Sequence, residues 1–243
     1  MRTVLIQEFL KEHGISVEDI ELGFFDSIGE FTAKKSREPN HPLYKSVGCF
    51  FRPNYERGIL VHSLIKKYGL TSVCEIGFGR GYTALCAAAA LCETSKDGKV
   101  ITVDPTLDEN HMKMIAQIFP KEWLDRITFV KGPSPQAFSH IEGKFDLVYV
   151  DGDHRAEAVR ADWEVVKDRW NAFCLFDDYH LPTKNEKDIE CAKVIDEIQD
   201  PTKTLIKLDR RIFVDDRKWT DEQVDYGQVM LTNNDYLKSL MEW

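Results

Sequence analysis

The sequence predicts an α/β fold: a doubly wound, mostly parallel sheet with a helical extension in front of it. Two observations support this prediction. Short apolar runs of strand length alternate with helical patterns from residue 73 to residue 176, and three alternate glycines follow the first of these runs. Strands that are apolar throughout are covered by helices on both faces, which is typical of a parallel sheet.

The composition is that of one soluble globular domain. The 243 residues can bury a core without disulfides, and 43% are hydrophobic and 30% charged. The formal net charge of -9 disfavours binding to nucleic acid, because neutralising phosphates requires a surplus of Lys and Arg.

Cysteine usage and the apolar runs predict a cytoplasmic protein. The six cysteines contain no C-x-x-C pair and are typical of a reducing compartment. Gln7 and Glu8 interrupt the start of the chain too early for a secretory signal. The longest apolar run, residues 84–92, is too short to cross a membrane.

The first part of the chain is expected to be helical. Apolar residues at helical spacing predict helices over residues 3–13, 17–28 and 56–68. A loop-rich passage separates the last two. We therefore divide the chain into an N-terminal helical cap, residues 1–55, and a ligand-binding domain, residues 56–243.

Strands and helices alternate regularly through the rest of the chain. Strands are expected at residues 73–76, 99–103, 127–131, 145–150 and 172–176, and helices at residues 82–93, 108–118, 134–140 and 155–169. A further helix to about residue 199 precedes strand-like runs at 204–208, 211–214 and 228–231. Ligands of such sheets bind beyond the carboxyl ends of the strands. Functional polar residues should therefore directly follow strands.

The glycine turn indicates which kind of ligand the sheet binds. The turn is the segment Glu75-Ile76-Gly77-Phe78-Gly79-Arg80-Gly81. It connects a short strand to an alanine-rich helix. Dinucleotide sites require the spacing G-x-G-x-x-G, whereas this turn has G-x-G-x-G. An acid before the turn would repel a pyrophosphate but suit a ligand that carries a cation. S-adenosylmethionine carries an ammonium and a sulfonium and has no phosphate.

This segment resembles the first motif of class I S-adenosylmethionine-dependent methyltransferases. The resemblance implies a Rossmann-like methyltransferase fold, and it implies that the N-terminal extension builds the substrate side. A glycine-rich turn without a ligand, or with another nucleotide, is the alternative. The residues expected to bind the cofactor are Glu75, Gly77, Phe78, Gly79, Gly81, Tyr82, Thr83, Asp104, Pro105, Gly132, Ser134 and Asp151.

Three of these positions have a specific expected role. Asp104 ends the strand at 99–103, where a carboxylate can accept both hydroxyls of a ribose. The alternative is a turn Asp before Pro105. Gly132 and Ser134 lie in the turn that borders the adenine in class I methyltransferases, so the resemblance makes them candidates.

Acidic residues cluster after two later strands. The strand at 145–150 is followed by Asp151, Asp153 and His154, and the next strand ends on Asp177 and Asp178. Converging carboxylates repel one another unless they are protonated or bridged by a cation. Oxygen ligands of this kind suit Mg²⁺. The alternative for Asp151 is a strand-end acid that caps the following helix, a role that Asp153 could also fill.

The acids also resemble those of the cation-dependent O-methyltransferases, of the catechol and caffeoyl-CoA kind, and of macrocin-type sugar O-methyltransferases. The resemblance implies that Asp151, Asp177 and Asp178 hold the metal, with Asp178 replacing an Asn. His154 is the expected general base beside Asp151. Rivals for that role are Tyr179 and His180. Trp163 and Trp170 are expected to pack in the core.

The predicted function is transfer of a methyl group from S-adenosylmethionine to an oxygen of a small molecule, with Mg²⁺ or another divalent cation as an optional participant. A NAD-dependent oxidoreductase is disfavoured by the glycine spacing. A nucleotide-binding protein of the same fold without catalysis is the third hypothesis. The expected partner is a small molecule and not nucleic acid or a membrane, and a homo-oligomer is left open.

Overall fold

The computed structural model describes residues 1–21, 23–25, 27–28, 55–180, 189–207 and 226–242. The strands are β1 Arg2–Leu5, β2 Ser72–Ile76, β3 Lys99–Asp104, β4 Ile127–Lys131, β5 Phe145–Val150, β6 Trp170–His180, β7 Thr204–Lys207 and β8 Tyr226–Thr232. The helices are α1 Ile6–Glu12, α2 Tyr55–Tyr68, α3 Tyr82–Thr94, α4 Glu109–Ile118, α5 Lys121–Leu124, α6 Ser134–Ala137, α7 Ala156–Val166, α8 Cys191–Glu197 and α9 Asn234–Met241.

The eight strands form one sheet in the order β1-β7-β8-β6-β5-β2-β3-β4. Only β8 runs antiparallel to its neighbours, β6 and β7, within the described part of the chain. Helices cover both faces of the sheet. The apolar residues on the two faces form two separate core clusters. The predicted α/β class with a doubly wound, mostly parallel sheet is confirmed.

The direction of strand order changes between β2 and β5, and this places the ligand crevice. Ile76 at the end of β2 pairs with Val103 on one side and with Val150 on the other. Val150 in turn pairs with Phe176 of β6. The residues that follow these strands therefore share one edge of the sheet, where ligands of doubly wound folds bind.

The N-terminal segment differs from the expectation of one helix over residues 3–13. Residues Arg2–Leu5 instead form β1, which pairs in parallel with β7, and the helix begins only at Ile6. The free edge of β7 offers backbone hydrogen bonds that a local apolar pattern cannot reveal. In place of the helix expected over residues 17–28 there is a 3₁₀ turn at Val17–Asp19, and residues 23–25 and 27–28 are helical.

Residues 29–54 lie outside the described residues, so the helical cap and its boundary at residue 55 stay predictions. The expected strand at 211–214 also lies outside them. The expected strand at 228–231 is confirmed as β8. Among the described helices, none is long and apolar enough to span a bilayer.

Candidate functional site

The glycine turn is built around a close approach of two backbones. Gly77 has φ +93°, and a Cβ atom there would lie 1.9 Å from the carbonyl oxygen of Asp151. Two backbone hydrogen bonds of 2.8 Å hold this turn: Asp151 N donates to Ile76 O of β2, and Gly77 N donates to Val103 O of β3. Only glycine fits here. The turn after β2 therefore contacts the backbone of the acid that follows β5.

The other two glycines of the turn face different surroundings. Gly81 has φ +88° and is the N-cap of α3, and a Cβ atom there would lie 2.6 Å from the ring of Phe78. Gly79 has φ +51°, and nothing lies within 4 Å of the position its Cβ would take. Open space above bare backbone at the start of a helix is where a ligand can lie against the chain.

Six side chains of the predicted cofactor set are buried, and four of them lie in or beside the glycine turn. Phe78 packs edge-on against Phe129, with the ring centroids 5.3 Å apart, and Tyr82 and Thr83 are each less than 8% exposed. Glu75 is only 2% exposed, and its Oε2 accepts a hydrogen bond of 2.5 Å from Thr102. Burial raises the pKa of Glu75 to about 8, although the bond from Thr102 opposes this. The expected charge pairing between Glu75 and a ligand cation stays a prediction.

Asp104 lies at the end of β3 and is held by its neighbours. Its Oδ2 accepts from Gly79 N at 2.9 Å, and its Oδ1 accepts from both the backbone N and the hydroxyl of Thr106 at 2.6 Å. A carboxylate offers about four acceptor positions, so three are taken. A bidentate contact with a ribose therefore requires Thr106 to release Oδ1. Pro105, beside it, is exposed.

The turn after β4 meets both the cleft edge and α7. Gly132 N donates to the carbonyl oxygen of Asp104 at 3.2 Å, which places this turn beside the end of β3. Ser134 is buried, and its hydroxyl donates to Asp162 on α7. The Ser134 side chain thus already has a partner within the protein.

Sequence reasoning missed Asp162. It is 5% exposed, and a Cβ atom on Gly152 would lie 2.8 Å from its Oδ2. Burial raises the pKa of Asp162 to about 6, while the hydrogen bond from Ser134 acts in the opposite direction. The available signal was its position on the apolar stripe of α7, three residues after Val159 and four before Val166.

We expect Asp162→Asn to stabilise the protein above pH 6. The pKa of Asp162 is raised from a usual value of 3.8, so the folded state favours the protonated acid. The stability contributed by Asp162 is present below pH 4 and is lost as the pH rises through about 6. Asparagine removes this loss, a gain of about 3 kcal/mol at pH 7. Urea unfolding at pH 5 and pH 7 measures this gain in the free energy of unfolding. Asp168→Asn, at an exposed position, is the control. Equal gains at both pH values would contradict the assignment.

Asp151, which follows β5, and Asp177, in the last part of β6, meet as predicted, and an arginine lies between them. Arg57 on α2 forms ion pairs through Nη1 with Asp151 and through Nη2 with Asp177. The Arg57 and Asp177 side chains are 7% and 1% exposed. Gln228 on β8 donates to Asp177 Oδ1 at 3.0 Å and to the hydroxyl of Tyr149 at 3.1 Å. Burial opposes the charge of Arg57, but the two carboxylates outweigh it and raise its pKa.

His154 lies beside the same acids on the outer side. Its Nε2 is 3.5 Å from Asp151 Oδ1 and 3.3 Å from Asp178 Oδ2. Burial alone would lower the pKa of His154, but the hydrogen bond to Asp151 and the charge of Asp178 raise it to about 9. Asp178 has φ +50° at a register shift in β6, the one positive φ outside glycine among the described residues. Such strain is common at functional sites.

Tyr179, one rival for the general base, lies against α8. Its hydroxyl donates to Asp196 at 3.0 Å, and burial raises its pKa to about 12. The side chain of His180 lies outside the described part. Trp163 packs on Phe176 at 5.7 Å between ring centroids, as expected of a core residue. Asp153 is exposed and pairs with Arg155.

Residues 74–179 match the family model of a methyltransferase domain. The match begins in β2 and ends in β6, so it contains the glycine turn and the acids of three strand ends. This segment is the domain of a class I S-adenosylmethionine-dependent methyltransferase. No curated protein sequence matches the chain.

Solved methyltransferases share the fold. The O-methyltransferase TomG from Streptomyces achromogenes, in complex with S-adenosylmethionine, is 16% identical with a TM-score of 0.55, over 85% of this chain and 90% of that chain. The O-methyltransferase from Bacillus cereus, in complex with S-adenosylhomocysteine, is 14% identical with a TM-score of 0.56, over 93% and 94%. The Podospora anserina methyltransferase PaMTH1 is 16% identical with a TM-score of 0.51, over 86% and 88%.

The three acids lie near one another, but the group of possible metal ligands differs from the set expected for this methyltransferase. One group of three possible ligands has its atoms within 4.8 Å of one another in the described part of the chain, and it consists of Asp151, His154 and Asp178. Asp177 is not in it, because its oxygens face Arg57 and Gln228. The three acids Asp151, Asp177 and Asp178 therefore do not fit one cation in this arrangement.

Proposed function

We propose that this methyltransferase transfers the methyl group of S-adenosylmethionine to an oxygen atom of a small molecule. The observation that carries the proposal is the contact between the Gly77 turn and the backbone of Asp151. A cofactor lying over Gly79 would have the polar cluster of Asp151, His154 and Asp178 at the adjoining strand end. TomG and the Bacillus cereus enzyme, which share this fold, are both O-methyltransferases, and this supports oxygen as the acceptor atom.

The chemistry divides between the cofactor and the chain. S-adenosylmethionine, when bound, supplies a methyl group that its sulfonium already activates. The chain has to bind the cofactor, orient the acceptor for in-line attack and receive the hydroxyl proton. Backbone at Gly79 and the free acceptor position on Asp104 would hold the cofactor. His154, set between Asp151 and Asp178, is proposed to accept the hydroxyl proton from its neutral form; because its pKa is about 9, that form is the minor one at neutral pH and grows as the pH rises.

We expect Gly79→Asn to abolish cofactor binding without unfolding the protein. Asparagine tolerates the left-handed φ of +51°, and no atom of the protein lies within 4 Å of the new Cβ. Its side chain would fill the space that the proposal gives to the cofactor. Calorimetric titration with S-adenosylmethionine should show at least a roughly tenfold loss of affinity, about 1.4 kcal/mol.

Gly69→Asn is the matched control for this substitution. Gly69 has φ +61° and an equally open surrounding, but it precedes β2 and so lies at the opposite edge of the sheet. We expect its affinity for S-adenosylmethionine to equal that of the wild type. If the wild type, Gly79→Asn and Gly69→Asn bind S-adenosylmethionine with equal affinity, the cofactor does not lie over Gly79.

The acceptor class is tested with labelled S-adenosylmethionine and three separate pools: hydroxylated small molecules, total RNA and protein. We expect label in an ether of the small-molecule pool and none with Gly79→Asn. Label in RNA or protein, or on a nitrogen or carbon atom, would contradict the proposed acceptor. Retention of NAD instead of S-adenosylmethionine would contradict the cofactor.

A further inference from the structure

We propose that Arg57 is a built-in counter-cation of the strand-end acids, and that it holds Asp151 and Asp177 together where a divalent ion would otherwise be needed. Arg57 is thus a positioning residue of the site. Arg57 would have this role whichever molecule accepts the methyl group.

The charges at the strand ends require a cation. The side chains of Asp151 and Asp177 are 14% and 1% exposed. Two carboxylates buried side by side cannot both ionise unless a positive charge lies between them. Arg57 supplies that charge with separate nitrogens of one guanidinium, Nη1 to Asp151 and Nη2 to Asp177. A planar guanidinium is suited to holding two acids in fixed relative positions.

The remaining contacts of Asp177 engage both of its oxygens within the protein. Asp177 Oδ1 accepts the amide of Gln228, and Gln228 is itself directed by the hydroxyl of Tyr149. Asp177 Oδ2 faces Arg57. A divalent ion on Asp177 would have to share an oxygen with Gln228 or with Arg57, whose positive charge repels a second cation, and Mg²⁺ requires near-octahedral geometry.

The position of Arg57 is set by how closely α2 packs on α3. Gly58, the next residue, has no side chain, and a Cβ atom there would lie 2.6 Å from the hydroxyl of Tyr82 and 2.8 Å from Cys86 Sγ. This close approach brings the first turn of α2 over the ends of β5 and β6. The Nε of Arg57 is buried and has no hydrogen-bond partner among the described residues, so its two acids fix the guanidinium.

The test compares the wild type, Arg57→Met and the double variant Arg57→Met/Asp177→Asn, each melted in EDTA and in millimolar Mn²⁺. Methionine keeps most of the apolar stem and removes the charge. We expect Arg57→Met to melt roughly 10 °C below the wild type in EDTA, since it leaves two buried acids unpaired. Mn²⁺ should restore several degrees. The double variant should recover part of the loss in EDTA and gain less from Mn²⁺.

The wild type should melt at the same temperature in EDTA and in Mn²⁺, or any rise caused by Mn²⁺ on Asp151, His154 and Asp178 should persist in Asp177→Asn. Two results would overturn the proposal. One is a rise of the wild-type melting temperature in Mn²⁺ that Asp177→Asn abolishes. The other is an Arg57→Met variant that melts at the wild-type temperature. If Arg57→Met does not fold, Arg57→Lys replaces it, with a smaller loss expected. The control is Arg160→Met, which removes an exposed pair with Glu197 and should change neither measurement.

Binding of S-adenosylmethionine is measured by calorimetry on the wild type in EDTA. Failure of the wild type to bind it would contradict the proposed function and leave the melting results for Arg57 standing. A wild type that binds the cofactor in EDTA, together with the expected melting results, supports both.

Discussion

Gly77→Ala should destabilise the methyltransferase by more than about 4 kcal/mol, or prevent it from folding. The new Cβ would lie 1.9 Å from the carbonyl oxygen of Asp151, and φ at this position is +93°. The clash is with backbone, so no side-chain rotation relieves it. Relief requires β2 and β5 to separate, which breaks the hydrogen bond from Asp151 N to Ile76 O. Denaturant unfolding followed by circular dichroism measures the loss.

Gly69→Ala is the control that separates the steric clash at Gly77 from the strain of placing alanine at a positive φ. Gly69 also has a left-handed φ, +61°, but nothing lies within 4 Å of its Cβ position. Its replacement should cost about 1 kcal/mol, the strain of placing alanine in that conformation. If the two variants lose the same stability, the close approach of the two backbones is not present in the folded protein.

Glu75→Gln should stabilise the methyltransferase by about 3 kcal/mol at pH 7 while weakening S-adenosylmethionine binding. Burial raises the pKa of Glu75 from a usual 4.5 to about 8, so the folded state favours the protonated acid. The stability contributed by Glu75 is present below pH 4.5 and is lost as the pH rises to about 8. Glutamine keeps an oxygen to accept from Thr102 and carries no charge.

Unfolding from pH 4 to pH 8 measures this gain, and titration with S-adenosylmethionine measures the binding. The exposed Glu142→Gln is the control and should alter neither quantity. A gain that does not grow with pH would show that Glu75 is ionised at little cost. Unchanged affinity would show that the carboxylate does not serve the cofactor's positive charge.

Most of the fold could be predicted because its signals are local. The β2 to α3 unit is marked by its own glycines, and each central strand is an apolar run of the right length. The meeting of Asp151 with Asp177 followed from the parallel register of β5 and β6, which the structure confirms. β1 was missed because its partner, β7, lies about two hundred residues away in the sequence.

The site was harder to predict because its key partners come from helices. Arg57 and Asp162 are both charged residues on the apolar stripe of a helix, with Leu60 and Leu64 following Arg57 at helical spacing. A charge on such a stripe must find a partner inside the protein, but the sequence does not say which one. The placement of Asp178 likewise depends on a bulge in β6 that no local pattern marks.

The antiparallel strand β8 has a consequence for how the chain folds. It lies between β6 and β7, so these two strands share no backbone hydrogen bonds and β7 joins the sheet only through β8. Until β8 is inserted, the edge of β6 stays unpaired. The pair formed by β1 and β7 cannot join the sheet before then. Pairings between segments so distant in sequence form slowly. We therefore expect a folding intermediate with β2 to β6 formed, prone to self-association through the edge of β6.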